Sequence, residues 1–487
     1  MKAFFSSKKF WYGVLIFFAL QSAWLALTAR YPMAFDENYH YGLIKLHANQ
    51  WLPWFTHQPA AAAEFGSVVR DPSYLYHYLL SLPYRLLKPL GDTPTILSLR
   101  FINIGLFMAG LLLMRRVLLR LQLSPAFTHV SLAMLTLIPV VPFLAATINY
   151  DNLFVPIFAA ALLLTFTIFD DFAARRVSAA RLLALGSLLL LGCLVKYPFL
   201  PVALVLGLSV LLRAWRTKLL NAKGWKKCIK SFAGLPRWSK IGLTVVVLLS
   251  VSLFAERYVV NLVQYHTPVP SCDVVLDDSS CSSYGPWARD NRLAAQKDPE
   301  WRGSVPAFTW SWLYGMWYRL FFAISWNYVT KQPLPALGFA AVCLAILLTI
   351  GVLWRWRQLA TNPAQKLIVV LLIVYGGVLF LDNMEAYFRT GWPVAINGRY
   401  WVPFLPLVFA LGGLAWGGIL KSKAKVWIAT LVLVLFLIQG GGAATFIIRN
   451  DNNWLWKNKA VTHANQAAKK VVSPLVICRG CDVVTSP

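Results

Sequence analysis

The chain has 487 residues, 58% hydrophobic and only 13% charged, about half the charged share of an ordinary soluble domain. A mean hydropathy of +0.59 excludes a soluble globular fold and leaves a polytopic membrane protein built from helices. The net charge of +27 follows from membrane topology rather than nucleic-acid binding, because the basic residues crowd short loops on one side.

Eleven apolar segments follow one another, near residues 10–29, 95–114, 127–147, 152–169, 181–195, 199–215, 240–258, 336–354, 367–383, 400–420 and 425–447. With their flanks they approach the roughly 20 residues that cross a hydrocarbon core. The expected fold is an all-α membrane domain over residues 1–447, followed by a polar tail over 448–487. Lys2, Lys8 and Lys9 precede a first apolar run too long for the core of a cleavable signal peptide, so it reads as a retained span. With the N-terminus in the cytoplasm, the cytoplasmic segments hold 24 of the 46 Lys and Arg and two of the 19 acids, Asp170 and Asp171. That positive-inside bias puts the tail outside. Lys223, Lys226, Lys227 and Lys230 form a dense basic cluster, suited to anionic lipid headgroups.

The outer connections are long. In the first, residues 30–94, the spacing predicts two helices lying in the membrane surface. One is Asp36–Trp51, with Tyr39, Leu43, Leu46 and Trp51 on an interfacial face; the other is Ser73–Lys88, carrying Tyr74, Tyr76, Tyr78 and Tyr84. The second connection, residues 259–335, gathers Trp310, Trp312, Trp317, Tyr318, Trp326 and Tyr328, either an interfacial belt or a wall for an isoprenoid chain or a sugar. Cys272 and Cys281 in that loop, and Cys478 and Cys481 in the tail, read as two local disulfides of an oxidising compartment; a metal site on the single C-x-x-C of the tail is the weaker alternative, since no second pair matches its spacing. Cys193 and Cys343 read as small apolar fillers, and Cys228 lies in the basic loop.

Four motifs carry chemistry. Phe35-Asp36-Glu37-Asn38-Tyr39-His40 sets two carboxylates and an imidazole just beyond the first span, where ionisable groups are costly to hold. In a helix starting at Asp36, the spacings bring either carboxylate to His40. One carboxylate can then accept a proton from an attacking hydroxyl while the other orients a sugar, binds a cation or keeps His40 protonated. Helix capping by Asp36 explains only one of the three groups. Arg70 supplies a cation ahead of the second surface helix. Asn149-Tyr150-Asp151-Asn152 is a polar turn at the outer end of the third span, on the same side as Asp36. Lys196, between the fifth and sixth spans, either snorkels to the interface or offers a point charge to a phosphate. Asn397-Gly398-Arg399-Tyr400 opens the tenth span from outside, with Arg399 suited to two parallel hydrogen bonds to a phosphate and Gly398 to close backbone approach.

Together these motifs resemble the type-C superfamily of integral-membrane glycosyltransferases, which use polyprenyl-phosphate sugars as donors. The likeness lies in Asp36 and Glu37 after the first span, the paired surface helices with Pro-Ser-Tyr-Leu-Tyr-His-Tyr at 72–78, the Asn-Tyr-Asp turn ending at Asp151, and Gly-Arg-Tyr-x-x-Pro from Gly398 to Pro403. It covers residues 10–215 and the region around 390–415; the middle loop and the tail match nothing in the family.

The resemblance implies inverting transfer of one hexosyl or pentosyl group from the lipid phosphate to a hydroxyl of a glycan or lipid-linked acceptor on the extracytoplasmic face. Asp36 and Glu37 would be the catalytic pair, with Asp36 the base. His40, Arg70, Asp151, Lys196, Arg399 and Tyr400 would bind substrate. A divalent cation, Mg or Mn, on Asp36, Glu37, His40 and Asp151 is an alternative to protein cations. The expected location is a bacterial inner or plasma membrane, with the C-terminus outside. An outer-face glycan polymerase or ligase using a lipid diphosphate donor is the enzymatic rival, and a lipid or solute transporter the non-enzymatic one.

Overall fold

A computed structural model describes residues 2–321, 336–417, 422–450 and 452–476. Each of the eleven expected segments holds a helix. The helices that position the site are α1 (Lys8–Thr28), α2 (Glu37–His47), α3 (Leu75–Leu87), α4 (Asp92–Arg120), α5 (Pro125–Leu137), α6 (Asp151–Ala173), α7 (Ala179–Val195), α8 (Leu200–Arg216), α9 (Ala222–Ala233), α10 (Arg237–Phe254), α11 (Val305–Phe321), α12 (Ala336–Trp354), α13 (Pro363–Thr390), α14 (Leu405–Gly417), α15 (Ser422–Ile438) and α16 (Lys459–Val472). Among the described residues, six helices are long and apolar enough to cross a membrane alone.

Two expected spans are broken rather than continuous. In the segment at 127–147, α5 stops at Leu137 because Pro139 drives Ile138 out of the helical region, to ψ 120°. The Leu137 carbonyl left open is taken by the Gly442 amide at 2.6 Å. In the segment at 425–447, the run Gly440-Gly441-Gly442 ends α15, with Gly440 at φ +90° and Gly442 at φ +67°, values that glycine adopts without a Cβ penalty. Part of the expected second outer loop is also helical, since α11 runs for 17 residues.

The core forms around α4 and α6. Gly110 lets them approach closely, because a Cβ there would lie 2.5 Å from Val155. Phe107, Leu111, Phe158 and Leu162 fill the seam without exposure. Large apolar side chains on the outside, such as Ile16, Leu208, Leu248 and Ile373, stay exposed, as a lipid-facing surface requires.

The two surface helices turn inward. Tyr74, Tyr76 and Tyr84, expected at the interface, are buried, and the Tyr76 hydroxyl donates to Asn103 Oδ1 at 2.8 Å. Leu43 and Leu46 are buried too, in a small cluster with Phe55, Phe65 and Val68, while Trp51 stays 80% exposed. A buried phenol on α3 finds its partner on α4, so packing decides the orientation that spacing left open.

The tail closes the same end of the bundle. Trp456 N donates to Thr28 O at 3.1 Å and Arg30 N to Trp454 O at 2.8 Å. At the opposite end, Phe5 O pairs with His129 Nδ1, Arg120 with Asp170 and Lys227 Nζ with Arg175 O. The basic segments expected in the cytoplasm thus meet one another, one helix length away from Asp36.

Candidate active site

Asp36 sits on a strained turn. Phe35 and Asp36 both adopt left-handed backbone, at φ 67° and 63°, which costs about 1–2 kcal/mol for each non-glycine residue. Asn149 Nδ2 holds the turn by donating to Phe35 O at 2.8 Å, and the Phe35 ring packs edge-on to Phe143. Asp36 stands at the N-terminus of α2 but makes no side-chain capping bond, so the capping role is excluded. Its carboxylate points outward, 59% exposed.

Residues from four distant stretches meet there. Arg399 Nη2 donates to Asp36 Oδ2 at 2.9 Å, and its Nε lies 3.7 Å from Asp151 Oδ2. Lys196 Nζ pairs with Asp151 Oδ1 and stands over the rings of Tyr400, at 4.3 Å, and Tyr150, at 4.7 Å. Lys196 is 3% exposed, so it is held inward rather than snorkelling. Burial pushes its pKa down to about 8, with Asp151 opposing the shift.

Arg399 comes from the turn Gly398–Trp401, where Asn397 Oδ1 accepts the Arg399 amide at 3.1 Å. Its side chain is 5% exposed, yet Nε and Nη1 lack a hydrogen-bond partner among the described residues, as does Asp151 Oδ2. A buried guanidinium with two open N–H groups favours an anionic acceptor strongly.

Other expected residues stand elsewhere. Glu37 is fully buried, bonded to Arg100 at 2.8 and 2.7 Å through both oxygens. It also accepts Met33 N at 2.6 Å and Ile148 N at 3.3 Å. With its lone pairs so used it braces the Asp36 turn rather than facing a substrate. His40 pairs with His77 at 2.9 Å instead of with a carboxylate. Burial, reinforced by the cations Arg399 and Lys196, holds its pKa well below the usual imidazole range, so it is neutral rather than kept protonated. Arg70 is 3.5 Å from Glu256, outside the Asp36–Arg399 network.

The expected metal set therefore does not converge. Glu37 is taken by Arg100, His40 by His77, and Arg399 stands between Asp36 and Asp151. No group of three metal-ligating side chains occurs among the described residues. Of the four expected ligands, Asp36 and Asp151 are the two carboxylates that remain on the site, both facing Arg399.

In the second outer loop Cys272 and Cys281 form a disulfide, with Cα atoms 5.9 Å apart. Cys193 is buried as expected, whereas Cys343 is exposed. The aromatic cluster divides: Trp310 is 72% exposed, while Trp312 is buried and donates to Asn383 Oδ1 at 3.0 Å. Trp326, Tyr328, Cys478 and Cys481 lie outside the described residues.

The sequence motifs leave out Arg100 and Asn103, and they include Asn149 and Tyr150 only as parts of the polar turn, with no role of their own. Arg100 had a signal, a lone cation inside the apolar run Ile96–Ile104, where a charge demands a buried partner. Asn103 had none, and the contact of Asn149 with Phe35 could not be read from its turn, because both depend on neighbours remote in sequence.

No family model and no curated protein sequence matches the chain. Solved structures do. ArnT from Cupriavidus metallidurans in the apo state matches with TM-score 0.45 and 14% identity, over 95% of this chain and 69% of that one. The oligosaccharyltransferase AglB from Archaeoglobus fulgidus, in complex with an inhibitory peptide and a dolichol-phosphate, matches with TM-score 0.45 and 13% identity, over 87% of this chain and 54% of that one. This chain spans about half the length of the archaeal protein.

Proposed function

We propose that the chain is a membrane glycosyltransferase that moves a single sugar from a polyprenyl-phosphate donor to a hydroxyl of a glycan or lipid-linked acceptor, on the face of the membrane carrying Asp36. One observation carries this reading: an exposed carboxylate, Asp36, is joined to a buried arginine, Arg399, that has two N–H groups to spare. The motifs shared with the type-C superfamily support the same assignment.

The chemistry follows from those positions. The acceptor oxygen attacks the anomeric carbon, its proton passes to Asp36, and the carbon–phosphate-oxygen bond breaks with inversion. The departing lipid phosphate changes from a diester to a monoester and gains charge. Arg399 takes that charge through Nε and Nη1, and Lys196, itself buried, adds a second cation beside it. The rings of Tyr150 and Tyr400 lie beside Lys196. With both cations in place, leaving-group stabilisation needs no metal.

The test supplies membranes containing the chain with a panel of polyprenyl-phosphate sugars and compares wild type with Asp36→Asn. Wild type should transfer one sugar at a time, and the variant should lose about 100-fold or more of that rate. Retained turnover in the variant removes Asp36 as base. Block transfer from a diphosphate-linked donor replaces the reading with a polymerase or ligase. Chelation by EDTA should leave the wild-type rate unchanged.

A further inference from the structure

Where α10 ends, the helix widens into a π turn, Ala255–Val259, before continuing as Val260–Tyr265. Such turns insert one residue and redirect the side chains after it. Here Glu256, Arg257, Tyr258 and Asn261 all leave the helix for other elements. Arg257 is unexposed, and its Nη1 donates to Val69 O at 2.6 Å. Asn261 Nδ2 donates to Arg70 O at 3.0 Å, and Glu256 pairs with Arg70. Tyr258, also buried, donates to Cys193 O at 2.7 Å.

Those contacts reach Lys196 from both directions along the chain. Cys193 lies three residues before it, in the last turn of α7. On the other flank, Tyr197 N donates to Ser73 Oγ at 3.0 Å. Ser73 N is in turn held by Asp71 Oδ1 at 2.8 Å, within the stretch that Arg257 and Asn261 grip. We infer that the π turn is a positioning device for Lys196, with Tyr258 fixing the end of α7 and Arg257 fixing residues 69–73 that anchor Tyr197. A buried arginine at the rim of a span is costly to hold, and this role gives the cost a purpose. The inference rests on the transferase reading for what Lys196 does, but not for where it is held.

The test uses the full chain with Tyr258→Phe, which removes one hydroxyl and opens no cavity, and Arg257→Lys as a second variant that keeps the charge and loses the fork. Labelling by an amine-reactive reagent is followed by mass spectrometry, with exposed Lys45 as the internal reference. Loosening by one lost hydrogen bond should raise the Lys196 to Lys45 labelling ratio about fivefold in either variant. An unchanged ratio in both overturns the inference, and this arm needs no substrate. In the kinetic arm, Tyr258→Phe should lower kcat in wild type and have no further effect in a Lys196→Ala background. Equal losses in both backgrounds also overturn it. A wild type that transfers no sugar from any donor overturns the transferase reading alone, since the labelling arm still decides the position of Lys196.

Discussion

At the residue scale, Glu37 and Lys196 show how similar burial leads to opposite roles. Glu37 spends both oxygens on Arg100 and two backbone amides, and Arg100 Nη1 goes on to bond Ala26 O and Ala29 O at 2.9 and 2.7 Å. The pair ties α4 to the end of α1 and to the Asp36 turn. Glu37→Gln keeps the shape but leaves the guanidinium uncompensated, so unfolding in detergent should become easier by about 3–5 kcal/mol. A variant that melts like wild type yet has lost transfer would instead make Glu37 a catalytic acid. Lys196 is charged below its pKa of about 8 and neutral above it. If its charge serves the leaving phosphate, kcat/KM falls as pH rises through about 8. Lys196→Arg, which stays protonated at any accessible pH, should carry that alkaline limb upward. A limb that does not move assigns the titration to another group.

At the element scale, two turns place Asp36 and Arg399. The left-handed pair Phe35 and Asp36 lifts the carboxylate away from α2, and the Asn149 side chain compensates for the strain. The turn Gly398–Trp401 delivers Arg399 from the other side. A Cβ on Gly398 would lie 2.1 Å from Met316 O and 3.1 Å from Leu320 N, both backbone atoms of α11. Neither can yield as a side chain would. Gly398→Ala should therefore push the turn off α11, displace Arg399 and cut transfer about 100-fold, the scale of a misplaced catalytic group. Donor binding should weaken in parallel, and a variant with wild-type kinetics would show that the turn does not set the position of Arg399. The positions of α2 and α3 were legible in the sequence, because Leu43 and Leu46, or Tyr76 and Tyr84, recur at helical spacing. Their facing was not, because an amphipathic stripe looks alike whether it meets lipid or Asn103. The role of Glu37 was hidden for the same reason, since its partner lies 63 residues away.

At the scale of the whole molecule, the counting of Lys and Arg that set the expected topology also anticipated which motifs would meet. Asp36, Asp151, Lys196 and Arg399 come from four connections assigned to one side, and they lie in direct contact. The helix breaks after Leu137 and Ile438 were harder to see, because a proline or a glycine run within an apolar stretch leaves hydropathy unchanged. What charge bias alone proposes is the absolute orientation, and two positions suit a test of it. Cys228 lies on the basic helix α9 between Lys227 and Lys230, and Trp51, 80% exposed, follows α2 beyond Asp36. In a chain whose other unpaired cysteines are replaced, a membrane-impermeant maleimide should label Cys228 only in inside-out vesicles and the Trp51→Cys position only in right-side-out ones. Basic loops resist translocation, so this pattern is the expected one, and it puts the Asp36 pocket where a lipid-borne sugar is available and nucleotide sugars are not. The reversed pattern would set the pocket in the cytoplasm and remove the reason for a polyprenyl-phosphate donor. Labelling of both positions from one side would contradict the helical path of α1 through α9.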